Sequence, residues 1–269
     1  MTPLSECPKA TLAAIKGVLT DIDETVSTDG RLTPEAYAAL AALRQAGLLV
    51  IPVTGRPAGW CDMIARFWPV DAVVGENGAF WMWHDKNAAT GAHKLRTRFI
   101  QSDAERAEDR RRLEAVRRDV LREVPGCAIA SDQPYRLADL AVDFCEDVPA
   151  LPAEDVGRIV EVFERHGATA KISSIHVNGW FGAYDKLTTS KTMMAELFGV
   201  DLARDAAAYV FSGDSPNDSP MFGFFPNAVG VANVAGFADR LAHKPRWITG
   251  ARSGAGFVEL ANALIHARR

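Results

Sequence analysis

Short apolar runs alternate with amphipathic segments in the first part of the chain, and a polar loop follows each run. The run at residues 17–20 ends at Asp21, and a second apolar run ends at Thr54. Between them, Thr33 and Pro34 begin a segment whose apolar residues recur at helical spacing, which predicts a capped helix. Strand, helix and strand in this order are typical of a parallel sheet, so we predict an α/β core.

The alternation changes after about residue 82 and resumes near Lys186. Residues 85–99 predict two short strands around a glycine-containing turn, and residues 103–124 predict a long charged helix with one apolar face. Helices and strands in this stretch no longer alternate simply, which indicates an inserted α+β domain. The predicted bounds are 1–83 and 186–269 for a Rossmann-like parallel-sheet core, and 84–185 for the insertion.

Composition excludes several classes of protein. The chain has 269 residues, 48% of them apolar, and a net charge of −4. This balance allows a substantial core and gives no electrostatic reason to bind nucleic acid or an anionic membrane. No secretory leader and no run of about 18 apolar residues is present, so we predict a cytoplasmic protein without a membrane span. Four scattered cysteines without a CxxC motif fit reduced thiols.

Polar clusters follow the predicted strands of the core. They are Asp21 with Asp23, Thr54, Lys191, and Asp214 with Asp218. In a parallel sheet the carboxyl ends of the strands share one edge, where ligands bind. Crowded carboxylates repel one another unless a cation lies among them, and hard oxygen ligands suit Mg²⁺. A lysine and a hydroxyl group beside such a metal suit a phosphoryl group.

Each cluster taken alone has an ordinary explanation as a turn or as a solvated lysine. A calcium-binding EF-hand loop at Asp21 is excluded, because a strand enters it and the required Gly and Glu positions hold Val26 and Leu32. The occurrence of all four clusters in one order, at or near strand or helix ends, favours a common site.

The motifs "TDIDET", "VTGR", "SKT" and "GDSPND" together resemble the haloacid dehalogenase superfamily of phosphohydrolases. The resemblance extends over essentially the whole chain. It is closest to the Cof-like members with a type IIB cap, a group that includes sucrose-phosphate, trehalose-phosphate and mannosyl-3-phosphoglycerate phosphatases. "GENGAF" is similar to the stretch where this group leaves the core for its cap. The resemblance implies a core with an inserted cap that selects the substrate.

The resemblance also implies residue roles. Asp21 is expected to attack phosphorus and form an aspartyl-phosphate, and Asp23 to act as general acid and base. Mg²⁺ is expected on Asp21, Asp23, Asp214 and Asp218, and the phosphoryl group on Thr54, Gly55, Lys191 and Asn217. Lys186 is the alternative for the lysine. We prefer Lys191, because Lys191 directly precedes the predicted helix.

The expected substrate is a small phosphorylated metabolite, in particular a sugar or sugar-acid phosphate. Candidate substrate contacts are Arg56, Glu76, Asn77, Arg136, His176 and Asn178. Two other functions stay open: a phosphotransferase or mutase that resembles phosphomannomutases, and a non-catalytic ligand-binding protein. The sequence leaves open whether the protein is a monomer or a homodimer.

Overall fold

The computed structural model describes residues 1–86, 90–91, 93–173 and 175–269. The strands are β1 Thr2–Pro3, β2 Gly17–Thr20, β3 Ser27–Thr28, β4 Arg31–Leu32, β5 Leu49–Pro52, β6 Val73–Gly75, β7 Phe80–Lys86, β8 His93–Phe99, β9 Ala128–Ile129, β10 Leu140–Asp143, β11 Thr169–Ile172, β12 His176–Trp180, β13 Tyr209–Gly213, β14 Val229–Gly230 and β15 Trp247–Ile248. The helices are α1 Lys9–Ala13, α2 Pro34–Gln45, α3 Ala58–Phe67, α4 Asp103–Glu123, α5 Ala153–Arg165, α6 Lys186–Phe198, α7 Leu202–Asp205, α8 Ser219–Phe224 and α9 Ser253–Ala267. The turn predicted within residues 85–99 includes 87–89 and 92, which lie outside the described residues.

A six-stranded parallel sheet forms the core, in the order β1-β15-β14-β13-β2-β5. The predicted helix between β2 and β5 is confirmed as α2, and the Thr33 side chain accepts the Ala36 amide at 3.2 Å as its N-cap. A parallel bridge between Val53 and Val74 connects β5 to β6. The prediction of an α/β parallel-sheet core is therefore confirmed.

Pro52 is the last residue of β5, and a residue without an N–H group is unusual within a sheet. The Val53 amide donates to the Thr20 carbonyl on the β2 side, whereas the Val50 amide donates to the Asp71 carboxylate on the opposite side. Backbone donors alternate sides along a strand, so Pro52 shares the side of Val50 and removes no bond to β2.

The sheet separates two apolar layers, because successive residues of a strand point to opposite faces. Val18 packs in one layer, with Leu40 of α2 and Leu260 of α9. Its neighbour Leu19 packs in the other, with Met193 of α6 and residues of α8. Helices therefore cover both faces of the sheet, which leaves the strand ends as the accessible edge.

A four-stranded antiparallel sheet, β11-β12-β10-β9, forms the second part of the molecule with α4 and α5. Its own apolar cluster runs from Leu113 to Phe181. The hairpin β7-β8 instead pairs with β6, and Phe80 packs in the core. The bounds of 84–185 for the insertion stay a prediction. Ile100 packs against the core clusters and Phe181 belongs to the cluster of the insertion, so apolar packing alone divides the chain closer to residues 100 and 181. Among the described residues, no helix is long and apolar enough to cross a bilayer.

Candidate functional site

Two adjacent parallel strands bring the first aspartates of two motifs together. Thr20 at the end of β2 pairs with Ser212 of β13, and the Asp21 amide donates to the Ser212 carbonyl at 2.9 Å. Asp21 and Asp214 each follow the last residue of their strand, so both lie at the same sheet edge. Their carboxylates, together with that of Asp218, have oxygen atoms within 4.8 Å of one another.

A buried lysine joins two of these carboxylates. Lys186 Nζ donates to Asp21 Oδ1 at 2.7 Å and to Asp218 Oδ1 at 2.9 Å. Only 6% of the Lys186 side chain is exposed, so both ion pairs lie away from bulk water. The two carboxylates outweigh the burial and raise the pKa of Lys186, which therefore stays an ammonium group.

The preference for Lys191 as the lysine of this site is corrected. Helix α6 begins at Lys186, because Asp185 caps it and forms a reciprocal pair of hydrogen bonds with Thr188. Lys191 follows five residues later, which turns it about 140° around the helix axis. Its Nζ lies over the Phe224 ring, 4.1 Å from the centroid, away from the aspartates.

The charges at this edge suit a divalent cation. Four carboxylates (Asp21, Asp23, Asp214 and Asp218) face two cations (Lys186 and Arg56). Burial raises the pKa of Asp21 to about 7 against the lowering effect of Lys186, and burial with Asp21 raises the pKa of Asp214. Two uncompensated buried negative charges are costly without a counter-ion. A hard oxygen donor set of this kind therefore fits Mg²⁺.

Asp218 has both of its carboxylate oxygens engaged by protein groups. Oδ1 accepts from Lys186, and Oδ2 accepts the Asp214 amide at 3.1 Å. Gly213 leaves the necessary room, because a Cβ there would lie 2.4 Å from Asp218 Oδ2. Asp218 therefore orients both Lys186 and the loop that carries Asp214.

Asn233 is a site residue that the sequence analysis missed. Its Nδ2 donates to Asp214 Oδ2 at 3.1 Å and to the Glu24 carbonyl at 3.0 Å, and its Oδ1 accepts the Ser253 amide. Asn233 follows the end of β14, so its position after a strand of the parallel sheet was the available signal. Thr25, in the first motif, also contacts Asp214, with Oγ1 3.4 Å from Oδ1.

Glu24 has a backbone φ of 54°, in the left-handed region that glycine adopts without strain. Its carboxylate accepts from the Gly30 amide and from the Ser253 hydroxyl, at 3.3 and 2.9 Å. The Glu24 carboxylate therefore stabilises the loop after β2 through Gly30 and Ser253. It does not add to the negative charge at Asp21.

The loop after β5 supplies small and amide groups to the site. Thr54 is fully buried and its Oγ1 accepts the Arg56 amide at 3.0 Å. Gly55 lines the cleft next to Asn77, whose amide group would lie 3.2 Å from a Cβ at Gly55. Asn77 Nδ2 is buried without an acceptor among the described residues. An unused donor beside a glycine fits an anionic ligand such as phosphate.

Arg56 connects the core to the inserted domain. Its Nε and Nη2 donate to Asp23, at 2.8–3.1 Å, and its guanidinium stacks on Trp60. On the other side, Nη1 lies 3.9 Å from Asp132 and 3.8 Å from Glu146, both from the insertion. Arg56 is thus shared between the candidate general acid and two carboxylates of the insertion.

Glu76 contacts backbone amides, which corrects the expectation that it contacts substrate. Its carboxylate accepts the amides of Ala58 at the start of α3 and of three consecutive residues of the insertion, at 2.6–3.2 Å. The three are Leu137, Ala138 and Asp139. Burial, with Asp139, raises the pKa of Glu76 to about 8, and the amides oppose this by favouring the charged form. Glu76 therefore attaches the insertion to the core.

Arg136 is also internal to the structure. Its guanidinium binds Asp132 and Asp139, and Nη1 donates to the Gly55 carbonyl at 3.0 Å. Asn178 Nδ2 donates to the same Asp139 at 3.1 Å. Asp132 and Asp139 were not recognised from the sequence, because neither belongs to a short motif.

His176 and Asn178, on β12, line the cleft together with Asp23 and Asn217. His176 Nε2 lies 2.8 Å from Glu146 Oε2, in an orientation that makes no hydrogen bond. Burial, together with Arg136, lowers the pKa of His176 to about 4, so the ring is neutral at neutral pH. Asn217 accepts the Ser215 hydroxyl through Oδ1 at 2.6 Å.

Residues 18–112 match a family model described as haloacid dehalogenase-like hydrolase. This span contains the first two motifs and Glu76. The match supports the predicted resemblance to this superfamily over these residues. No curated protein matches the chain.

Several solved structures superimpose on nearly the whole chain. A protein of Thermoplasma acidophilum aligns with a TM-score of 0.69 at 15% identity, covering 93% of this chain and 98% of its own. The C-terminal domain of trehalose-6-phosphate phosphatase from C. albicans gives 0.69 at 11%, covering 99% and 98%. The sucrose-phosphatase of Synechocystis, solved with sucrose and phosphate, gives 0.62 at 14%, covering 93% and 98%. At these identities the likeness establishes the fold alone.

Proposed function

We propose that this protein is a Mg²⁺-dependent phosphohydrolase that cleaves a phosphate monoester of a small metabolite through an aspartyl-phosphate on Asp21. The observation that carries this proposal is the buried group of Asp21, Asp214 and Asp218 with Lys186 at the carboxyl ends of β2 and β13. The fold shared with trehalose-phosphate and sucrose phosphatases supports it.

Asp21 is the nucleophile in this mechanism. The Lys186 ammonium holds one of its oxygens at 2.7 Å, which fixes the direction of the carboxylate. The Asp21 and Asp214 side chains and the Asp23 carbonyl would hold Mg²⁺, with Asp218 beside them. When bound, this ion neutralises charge on the phosphoryl oxygens. The Gly55 amide, Asn77 Nδ2 and Lys186 are the protein donors for those oxygens, and Thr54 stays a predicted donor.

Asp23 transfers the protons. It protonates the oxygen of the departing alcohol, and in the second half-reaction it removes a proton from the water that hydrolyses the aspartyl-phosphate. Arg56 orients the Asp23 carboxylate through two nitrogens. The inserted domain covers the side of the site where Asp23 and Arg56 lie. The departing alcohol therefore contacts residues of the insertion.

Phosphate release from p-nitrophenyl phosphate tests the proposal. We expect turnover with Mg²⁺, loss of turnover with EDTA, and a loss of more than about 10³-fold in Asp21→Asn, because the amide cannot act as nucleophile. Asp62→Asn is the matched control, since Asp62 is an exposed carboxylate on α3 that pairs with Arg66. Equal turnover by Asp21→Asn and wild type would exclude the mechanism.

Metal binding has a readout independent of activity. We expect Mg²⁺ to raise the melting temperature of the wild type, because a ligand that binds only the folded state stabilises it. Asp214→Asn is expected to lose this shift while it still folds. An identical shift in Asp214→Asn and wild type would place the ion elsewhere.

A further inference from the structure

Three consecutive backbone carbonyls of the loop after β5 are held from two directions. The outer two, of Thr54 and Arg56, accept amides of residues 76–77 in the core, both at 3.1 Å. The middle one, of Gly55, accepts Arg136 Nη1 from the insertion at 3.0 Å. The insertion therefore contacts the backbone of the loop that the proposed function assigns to the phosphoryl group.

The middle peptide, between Gly55 and Arg56, has both of its polar groups engaged. Its carbonyl accepts from Arg136, and its N–H group donates to Thr54 Oγ1 at 3.0 Å. A peptide is planar, so these two groups turn together. Because Thr54 Oγ1 serves here as an acceptor, its O–H hydrogen is left to donate, and this hydrogen has no acceptor among the residues that the structure describes. The orientation of the peptide thus leaves Thr54 as a donor for an anion.

Gly55 makes this orientation depend on contacts from outside the loop. A residue without a Cβ has more backbone freedom than any other, so the peptide that follows it rotates more readily. A half-turn would place the carbonyl of this peptide beside Thr54, where the carbonyl accepts the hydroxyl hydrogen. Thr54 would then have no hydrogen left for an anion. The contact of the Gly55 carbonyl with Arg136 opposes this rotation.

Arg136 is a rigid support for the contact. Its Nε and Nη2 donate to Asp132 at 3.0 and 3.2 Å, and Nη1 donates to Asp139 at 3.0 Å. Asn178 Nδ2 donates to the same Asp139 at 3.1 Å, and only 1% of the Arg136 side chain is exposed. With the Gly55 carbonyl, these contacts use four of the five N–H donors of the guanidinium group. Arg136 lines the cleft, but its donors serve protein groups.

We propose that Arg136 positions the phosphoryl-binding loop: it holds the peptide between Gly55 and Arg56 in the orientation that leaves the Thr54 hydroxyl free to donate to the phosphoryl group. This inference rests on the function proposed above and goes beyond it, because it makes the affinity of the core for phosphate depend on a residue of the insertion. Arg136 acts through Gly55 and Thr54 and touches no reacting atom, so its effect is the same for every alcohol.

Inorganic phosphate is the probe for this inference, because it carries the phosphoryl oxygens without an alcohol. Its inhibition constant is measured against p-nitrophenyl phosphate in the presence of Mg²⁺. We expect Arg136→Gln to raise this constant by about tenfold, which corresponds to one hydrogen bond to an anion. The value of kcat/KM should fall by the same factor for p-nitrophenyl phosphate and 4-methylumbelliferyl phosphate. A change confined to the esters, with the constant for phosphate unaltered, would mean that Arg136 contacts the alcohol, and it overturns the proposal.

Arg136→Lys keeps the inference testable if Arg136→Gln does not fold. Lysine retains a cation between Asp132 and Asp139 but lacks the planar fork that serves both carboxylates and the Gly55 carbonyl together. We expect the inhibition constant of phosphate to rise by about threefold or more. A variant whose melting temperature falls while its inhibition constant stays at the wild-type value has lost a structural contact alone, and this result also overturns the proposal.

Arg112→Gln is the matched control. Arg112 is another paired guanidinium group of the insertion, 3.0 Å from Asp109 and 3.5 Å from the centroid of the Phe181 ring. Among the described residues it makes no contact with the loop after β5, so the inhibition constant of phosphate should stay within about twofold of wild type. An increase equal to that of the Arg136 variants would trace the effect to a general loss of stability in the insertion and contradict the role of Gly55.

Failure of this inference is distinguishable from failure of the proposed function. If the wild type leaves p-nitrophenyl phosphate and other esters intact, the phosphohydrolase function is wrong, and this inference falls with it. If the wild type hydrolyses them while the Arg136 variants bind phosphate as tightly as it does, only the positioning role is wrong.

Discussion

The cleft has a core wall, which includes Asp21, Gly55 and Asp214, and an insertion wall, which includes His176 and Asn178. The two walls are built by different physical means. On the core wall, charged groups sit at the ends of parallel strands, and sheet register alone brings Asp21 and Asp214 together. On the insertion wall, residues from separate loops are held by Glu76 and by the pairs of Arg136. The comparison teaches that the sheet topology determines where the residues of the core wall lie. Hydrogen bonding of buried polar groups determines where those of the insertion wall lie.

The largest expected effect lies on the core wall, in Lys186→Met. Removing the ammonium leaves Asp21 and Asp218 buried without their partner, which costs about 3–5 kcal/mol in comparable pairs. We therefore expect a loss of at least about 10³-fold in turnover of p-nitrophenyl phosphate, together with a lower melting temperature.

Lys191→Met is the matched control for that prediction. Lys191 contacts the Phe224 ring on another side of the same helix, so turnover should stay within about twofold of wild type. If Lys191→Met abolishes turnover and Lys186→Met does not, the placement of the lysine in this site is wrong.

Most of the core wall could be predicted from the sequence. Each acidic motif directly follows an apolar strand, and parallel strands place their ends on one edge. The lysine was misplaced because Lys191 was taken to precede the helix directly, whereas α6 begins at Lys186 and Asp185 and Thr188 form its cap. A local capping pattern of this kind is readable in a sequence, but the choice of a lysine five residues further along the helix turns the chosen side chain away from the site.

The second largest effect is expected for Glu76→Gln, at the contact between the core and the insertion, and it is an effect on stability. Both carboxylate oxygens accept backbone amides, so either orientation of the glutamine amide points an N–H group at another donor. We expect a loss of about 3 kcal/mol in the free energy of unfolding, measured with urea.

Glu161→Gln serves as the control for this loss, because Glu161 is exposed on α5 and should change stability by less than about 0.5 kcal/mol. Proteolysis gives an independent view of the attachment. The variant is expected to be cut faster between the core and the insertion, and unchanged urea and proteolysis profiles would contradict the role of Glu76.

The insertion wall could be predicted only in outline. The helix at Asp103–Glu123 and the strands were readable from their periodicity. Glu76 and Arg136 were assigned to the substrate, whereas Glu76 accepts backbone amides and Arg136 binds Asp132 and Asp139. Their partners Asp132 and Asp139 are distant in sequence from Glu76, and no periodic pattern reports which buried carboxylate will meet which amide.

The smallest expected effect is a pH dependence of stability that belongs to the insertion wall. The pKa of His176 is lowered from 6.5 to about 4 by burial and by Arg136, with Arg56 acting in the same direction and Asp132 and Asp143 opposing them. The folded state therefore keeps the ring neutral while the unfolded chain becomes protonated. This contribution is fully present above pH 6.5 and is lost as the pH falls toward 4, by at most about 3 kcal/mol.

His176→Asn removes this titration. Because Glu146 and other carboxylates also titrate in this range, the informative quantity is the difference in slope between the variant and the wild type. We expect the free energy of unfolding of His176→Asn, measured with urea from pH 7 to pH 4.5, to fall less steeply than that of the wild type. His243→Asn, at an exposed histidine, should follow the wild-type slope. Parallel slopes for His176→Asn and wild type would mean that the ring is solvated in the folded protein and that its lowered pKa is wrong.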